Sequence, residues 1–550
     1  MPGKTPVGFT TVKVESLGTL KGLVYENGVR QFCGIPYATL TKRWTRSTLA
    51  TSWKNGVHDG TKLGSNAPDP PEYKNEDGLD PMVPVLPFAH FNAPVENELE
   101  CLIINITIPP TVKCSEQLPV MVFIHGGSFV SGGSNLPVYD CVNLVSYSLA
   151  RDSPIIGITI NYRVGLGGFL ASKAIKDDLA KDGFSGVGNF GLTDQQTALQ
   201  WIHKYISLDP FNGDKNNVTI FGESAGGMSV AHQLAAANPA PFQRAISMSG
   251  TLNTIPTWSL EQHEKRYRAL LTHLRIDYDA ADTLEQLRQV PESVIAAATI
   301  PIEGVLVCTG NPCDDGVFHK ECPSADRIES PPAWLESFMI GDVFDEAVIF
   351  SWAITEDTYD TIRECLLRFL TEEQTDKVLC LYGFSKDEST AEFKGLFESI
   401  TGDVIFKIQN YITAQRSTIP KTYAYHFDQV GSRDDMFRGK SYHAIDLLYI
   451  FLNLEEEMSP GELKVAHRFA SNFINFAYGK DPWERYSKNH KWMVFGPENG
   501  WALKSEEDDE HRRHYQRMKM ILDMGIFKAL VAALDAFSTK RWLLDEIAQK

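Results

Sequence analysis

A serine hydroxyl is a poor nucleophile at neutral pH. A chain that uses one must supply a base, an orienting acid and donors for an oxyanion. Gly222-Glu223-Ser224-Ala225-Gly226 has the form of the turn that presents such a hydroxyl. It directly follows a β-like run, Val218-Thr219-Ile220-Phe221, and opens a helical run of small residues, Ala225, Gly226, Gly227, Ser229 and Ala231. Glycine on both sides lets neighbouring backbones approach, and the sharp strand-to-helix turn lifts the Ser224 oxygen at the carboxyl edge of a sheet. The pentapeptide is common by itself, so its place between strand and helix is what favours nucleophilic chemistry over a Gly-rich helix cap. His125-Gly126-Gly127 ends another apolar run, Val120 to Ile124. Residues without side chains there can aim backbone N–H groups at a carbonyl oxygen, so Gly126, Gly127 and Ala225 are the expected oxyanion donors. His125 then shapes the loop and is not the base.

A parallel sheet would position these residues. Val120 to Ile124, Ile155 to Ile160, Val218 to Phe221 and Ala245 to Met248 are continuous apolar runs, as expected for strands buried on both faces. Leu192 to Ile206 lies between the second and third with helical spacing of its apolar residues, giving the βαβ rhythm of a mainly parallel α/β fold. Phe338-Met339-Ile340 and Tyr423-Ala424-Tyr425 supply later strands, separated by helical insertions near 260–300 and 355–415. The first forty residues read as a β-meander at the sheet edge, and 64–94, rich in Pro and Asp, as a surface excursion. One domain over 1–550 is expected, with excursions near 64–94, 251–340 and 385–441.

Composition narrows the function classes. With 52 Lys+Arg against 70 Asp+Glu, the net charge of −18 is the wrong sign for a nucleic-acid surface. Mean hydropathy is −0.20 and no stretch is apolar for the length of a membrane span. No signal peptide is written at the start, which gives a cytoplasmic expectation, or secretion if the chain is already processed. Nine cysteines are too few for a disulfide scaffold. Cys308, Cys313 and Cys322 gather near His319, but their spacing does not match zinc-site pairs. Both sequons, at Asn105 and Asn217, fall in β-like runs where a glycan has no room. The acidic runs at 455–457 and 506–510 read as solvated helix ends or loops. Met518 to Phe537 carries an apolar stripe suited to core packing or a homodimer seam.

Longer motifs point further. Phe32-Cys33-Gly34-Ile35-Pro36-Tyr37-Ala38, Cys101 to Pro109, the His125 loop, Asn161-Tyr162-Arg163-Val164-Gly165, Gly188-Asn189-Phe190-Gly191-Leu192 with Asp194-Gln195, and Phe211 to Gly226 run nearly end to end. Together they are similar to the type-B carboxylesterase/lipase family of α/β-hydrolases, which includes cholinesterases and fungal lipases. The resemblance implies a Ser-His-Glu triad in the order Ser, acid, His. Gly341-Asp342-Val343-Phe344-Asp345-Glu346 matches the acid loop and makes Glu346 the expected acid, with Asp342 or Asp345 open should the loop register differ. Ala347 stands where the family usually has Gly. Tyr442-His443-Ala444-Ile445-Asp446 is similar to the base segment, so His443 is the expected base. His426 is its rival, although the run Tyr423 to Phe427 reads as a strand interior. Secreted relatives bridge the cysteine equivalent to Cys101 to one upstream in the excursion. No cysteine lies between Cys33 and Cys101, so that loop is expected unstapled.

The expected activity is hydrolysis of a small-molecule carboxylic ester through an acyl-enzyme, with no metal or organic cofactor. A lipase, lactonase or amidase on the same triad is an alternative. A non-catalytic binding module is a third, disfavoured because Ser224, Glu346, His443 and the Gly pair occur together.

Overall fold

The computed structural model describes residues 5–74, 95–110, 117–303, 309–323, 332–354 and 356–540. Twelve strands follow one another across the main sheet. In chain order they are β1 (Gly8–Val14), β2 (Gly18–Val24), β3 (Arg30–Pro36), β4 (Ile103–Ile108), β5 (Leu118–Ile124), β6 (Ile156–Ile160), β7 (Gly213–Glu223), β8 (Arg244–Met248), β9 (Ser337–Val343), β10 (Thr422–Phe427), β11 (Trp492–Phe495) and β12 (Trp501–Lys504). Their spatial order is β1-β2-β3-β4-β6-β5-β7-β8-β9-β10-β11-β12, and the short strand Val57–Asp59 pairs beside β2. From β6 to β11 every pairing is parallel. The meander β1 to β4 and the last strand β12 pair antiparallel at the two ends.

The apolar runs form the centre because side chains alternate between two packed faces. In β5, Val120, Val122 and Ile124 enter one core, while Met121 and Phe123 enter the other. In β7, Val218 and Ile220 go one way and Phe221 the other. Helix Phe190–Tyr205 covers the first face with Leu192, Leu199 and Ile202. Helices Val142–Ala150 and Pro460–Ala477 cover the second. Parallel strands so arranged place their carboxyl ends, and the turns that leave them, along one edge.

Some elements differ from the sequence expectation. The apolar stretch Met518 to Phe537 is two helices, Tyr515–Asp523 and Phe527–Thr539, parted around Gly525. Its stripe packs into the main core, Phe537 lying 5.6 Å from Phe397 between ring centroids, so this stripe is interior and not a dimer seam. β5 runs through Pro119, and β9 extends from Ser337 to Val343. Of the Pro-rich excursion, residues 75–94 lie outside the described residues, as does Cys308. Cys33 and Cys101 are free, buried thiols. Asn105 is buried and its amide is occupied by Gly34, Ser134, Asn135 and Thr159. Asn217 takes the Arg244 guanidinium. Glu506 opens a helix capped by Ser505, and residues 455–457 form a single turn. Among the described residues, no helix is long and apolar enough to cross a membrane.

Candidate active site

Ser224 is where β7 becomes the helix Ala225–Leu234, and it is held at φ 56° and ψ −126°. A β-carbon in that region is strained, and only surrounding contacts can hold it there. They do: the Ser224 N–H donates to the Met248 carbonyl on β8 at 2.9 Å, and its carbonyl accepts from the Met228 N–H at 2.8 Å. The glycines are steric requirements. A methyl on Gly226 would sit 2.0 Å from the Ile124 carbonyl oxygen, and one on Gly126 would meet the Glu223 carbonyl at 2.8 Å and the Ser224 Cβ at 3.1 Å. Gly126 is therefore in direct contact range of the serine, with Gly127 following at φ 106° and Ala225 buried at the helix start. His125 is committed elsewhere, since its Nδ1 pairs with the Gly126 carbonyl at 2.9 Å and its ring stacks on Tyr162 at 4.3 Å.

The expected acid and base lie beyond β9 and β10. Glu346 follows β9, and His443 follows β10 on the loop before the helix Ile445–Phe451. His443 Nδ1 lies 2.6 Å from Glu346 Oε2, and both side chains are buried. A carboxylate accepts only, so Nδ1 carries the proton and Nε2 is left free to act as a base. The other carboxylate oxygen, Oε1, accepts from the Val343 N–H at 2.9 Å. Asp345 is turned away from His443 toward Ser441. It clamps the two loops, its N–H donating to the Ser441 carbonyl and its Oδ2 accepting from the Ser441 N–H, each at 2.8 Å. Asp342 and His426, the other rivals, pair with each other at 2.7 Å and stand apart from this set.

Two groups passed over by sequence reading complete the site. Glu223, which immediately precedes Ser224, brings Oε1 within 3.1 Å of His443 Nε2 without hydrogen-bonding geometry. Asp446, three residues beyond His443, accepts from the Tyr425 hydroxyl at 3.0 Å. Glu223 sat inside the recognised pentapeptide, so its burial was the missing signal. Three buried carboxylates thus surround one imidazole. Burial pushes Glu223 up to about 8 against the pull of His443, with Asp446 and Glu346 adding to the rise. Burial also pushes Asp446 up to about 7, opposed by the Tyr425 hydroxyl. For His443 burial acts downward, but Glu223 and Glu346 outweigh it and lift the ring to about 9. A proton on His443 favours ionised Glu223, and the reverse, so the pair titrates as one unit.

The wall behind His443 is a widened turn in a long helix. Thr390–Thr401 continues through a π-type turn, Gly402–Lys407, into Ile408–Arg416. Such widened turns are frequent at functional sites. Here the turn sets Gly402 against Glu346 and the Phe406 ring 5.0 Å from the His443 ring.

Near the remaining polar groups, Cys313 is buried beside Asn189, and His319 Nε2 pairs with His232 Nδ1 at 2.9 Å. Among the described residues, no group of three His, Cys, Asp or Glu is arranged to hold a metal.

The carboxylesterase family model matches residues 9–522. This chain belongs to the carboxylesterase family. It is 31% identical over 485 residues to a para-nitrobenzyl esterase of Bacillus subtilis, covering 84% of this chain and 89% of that one. Lipase 3 of Yarrowia lipolytica is 27% identical over 492 residues, covering 85% and 88%. Acetylcholinesterase of Bungarus fasciatus is 28% identical over 532 residues, covering 90% and 82%. A solved PNB esterase superposes with a TM-score of 0.72 at 27% identity, covering 92% of this chain and 99% of that structure. The α/β-hydrolase fold and carboxylic ester hydrolysis follow from this membership.

Proposed function

We propose that this protein hydrolyses small carboxylic esters through an acyl-enzyme formed on Ser224, with His443 as base and Glu346 as its orienting acid. The observation that carries this reading is the buried 2.6 Å contact between His443 and Glu346, with the other ring nitrogen 3.1 Å from Glu223, the residue before a serine in a strained elbow. His443 Nε2 takes the Ser224 hydroxyl proton as the oxygen attacks the ester carbonyl. Glu346 holds the ring in that tautomer and stabilises the imidazolium. The N–H groups of Gly126, Gly127 and Ala225 receive the developing oxyanion, each worth roughly 10²- to 10³-fold in rate. His443 returns the proton to the departing alcohol. Water then repeats the sequence on the acyl-enzyme and releases the acid.

The excursions near 251–340 and 385–441 are proposed to shape the substrate gorge, the second contributing Phe406 beside the base. The relatives named for ester and lipase activities favour an ester over an amide. The deciding experiment is stoichiometric labelling by an organophosphonate, together with Ser224→Ala. We expect one label per chain and a loss of aryl-ester kcat of about 10⁴-fold or more in the variant. An undiminished rate in Ser224→Ala removes the serine from the mechanism, and a chain that neither labels nor turns over is the binding module.

A further inference from the structure

We propose that the arginine pair Arg512–Arg513 fixes the acid loop of the active site, with Arg513 acting as a positioning residue for Glu346. The proposal rests on the reading of Glu346 as the acid of the triad. Both arginines end the helix Glu506–Arg513, far along the chain from the loop they reach. Cations are favoured at a helix carboxyl end, and here they are turned inward onto the five residues Asp342 to Glu346.

Each residue of that return is held. Asp342 Oδ1 accepts from Arg513 Nη1 at 2.7 Å. The same nitrogen donates to the Val343 carbonyl at 3.3 Å. Val343's own N–H donates to Glu346 Oε1. Arg513 therefore grips one polar group of Val343 while the other grips the carboxylate. Phe344 lies under the Arg512 guanidinium, 3.9 Å from ring centroid to Cζ, and its N–H donates to the Phe427 carbonyl. Asp345 is clamped to Ser441 as described. The fork is anchored behind by Asp428, which pairs with both arginines.

Charge supports a dedicated device. Arg513 is fully buried, and two arginines meet two buried aspartates. A buried arginine so placed is costly to desolvate and replaceable by apolar packing if stability were its only purpose. Its geometry does what packing cannot: the planar fork spans Asp342, the Val343 carbonyl and Asp428 at once, which an ammonium cannot. Glu346 Oε1 is held by Val343 and Oε2 by His443, so a shift of Val343 rotates the carboxylate under the imidazole. Displacements of about 1 Å far from the chemistry cost on the order of 10²-fold.

The test compares Asp342→Asn and Arg513→Lys with Glu346→Gln and with the Asp342→Asn/Glu346→Gln double variant. Rates for an aryl acetate are referred to sites labelled to completion by an organophosphonate, so loss of folded protein does not enter. We expect Asp342→Asn and Arg513→Lys each to lower kcat per site by about 10-fold with KM within about twofold, and the acid limb of the pH profile to move to lower pH as Glu346 holds His443 less well. In the Glu346→Gln background, Asp342→Asn should change kcat by less than about twofold, because the effect runs through the missing carboxylate. Wild-type kcat per site and an unmoved limb in both single variants overturn the proposal, as do additive losses in the double variant. If Glu346→Gln itself retains full activity, the triad reading fails, and the proposal with it.

Discussion

Two histidines in this molecule have nearly the same polar anchor and opposite fates. His443 sets Nδ1 2.6 Å from Glu346, and His426 sets Nδ1 2.7 Å from Asp342. Both are buried, and both carboxylates belong to one segment, Asp342 within β9 and Glu346 three residues beyond its end. The difference is at the other nitrogen. His426 Nε2 is closed by the Tyr515 hydroxyl at 2.8 Å, and its ring lies flat on Trp492 at 4.1 Å and 5°. His443 Nε2 makes no hydrogen bond and faces Glu223, beside the serine. Charge separates them as well. Burial and Arg513 lower His426 despite Asp342, whereas Glu223 and Glu346 raise His443 against burial. The two histidine–carboxylate pairs thus differ in whether the second nitrogen has a hydrogen-bond partner, which is the difference the proposed base requires.

The strongest way to break the comparison is to exchange the losses. His443→Ala should cut aryl-ester kcat per folded molecule by about 10⁴-fold or more, beyond any stability lost because buried Glu346 is left without its partner. His426→Ala should instead lower stability by about 2 to 4 kcal/mol with kcat per folded molecule retained, since it opens a cavity and takes the buried Tyr515 hydroxyl's partner away, while Asp342 keeps Arg513. Calorimetry and turnover on the same preparations check both. If His426→Ala loses all turnover while His443→Ala retains it, the base has been misassigned.

A smaller effect sharpens the electrostatic half of the contrast. A base works only when unprotonated, so kcat/KM rises with pH through the titration of the His443–Glu223 pair. Glu223→Gln removes a negative charge that raises His443. The acid limb should then move toward lower pH, by about one unit or more. A limb that stays in place, measured in a pH series on the aryl ester, would show that Glu223 does not govern the base. The smallest change is Tyr515→Phe, which leaves His426 Nε2 unpartnered. We expect a stability loss of about 1 to 3 kcal/mol, read from denaturant midpoints, with kcat per folded molecule within about twofold. A larger loss of kcat than of stability would make the structural histidine part of the chemistry.

Much of this site was legible before any coordinates. The elbow at Ser224, the Gly126-Gly127 loop and the acid loop each sit directly after a strand whose apolar run is visible in the sequence, and His443 lies on the longer connection that leaves β10. Helix periodicity failed across 518–537, where the stripe continues in phase through the break at Gly525. The ranking of acids was also open to doubt, because Asp342, Asp345 and Glu346 lie within five residues and differ only in where each carboxylate is aimed. Glu223 and Asp446 were visible as letters, but their effect on His443 depends on burial and distance. The role of Arg513 has no local signature at all, since its partners come from β9 and from the end of β10.

The sequence by itself determined what is local: which runs are strands, where the chain must turn sharply, and which positions cannot bear a β-carbon. Tertiary structure decided which histidine has a free nitrogen, which carboxylate faces it, and which charges surround the pair. The physical reason is range. Backbone sterics and side-chain periodicity act over a few neighbouring residues, whereas Coulomb interactions and desolvation depend on which distant segments are packed together.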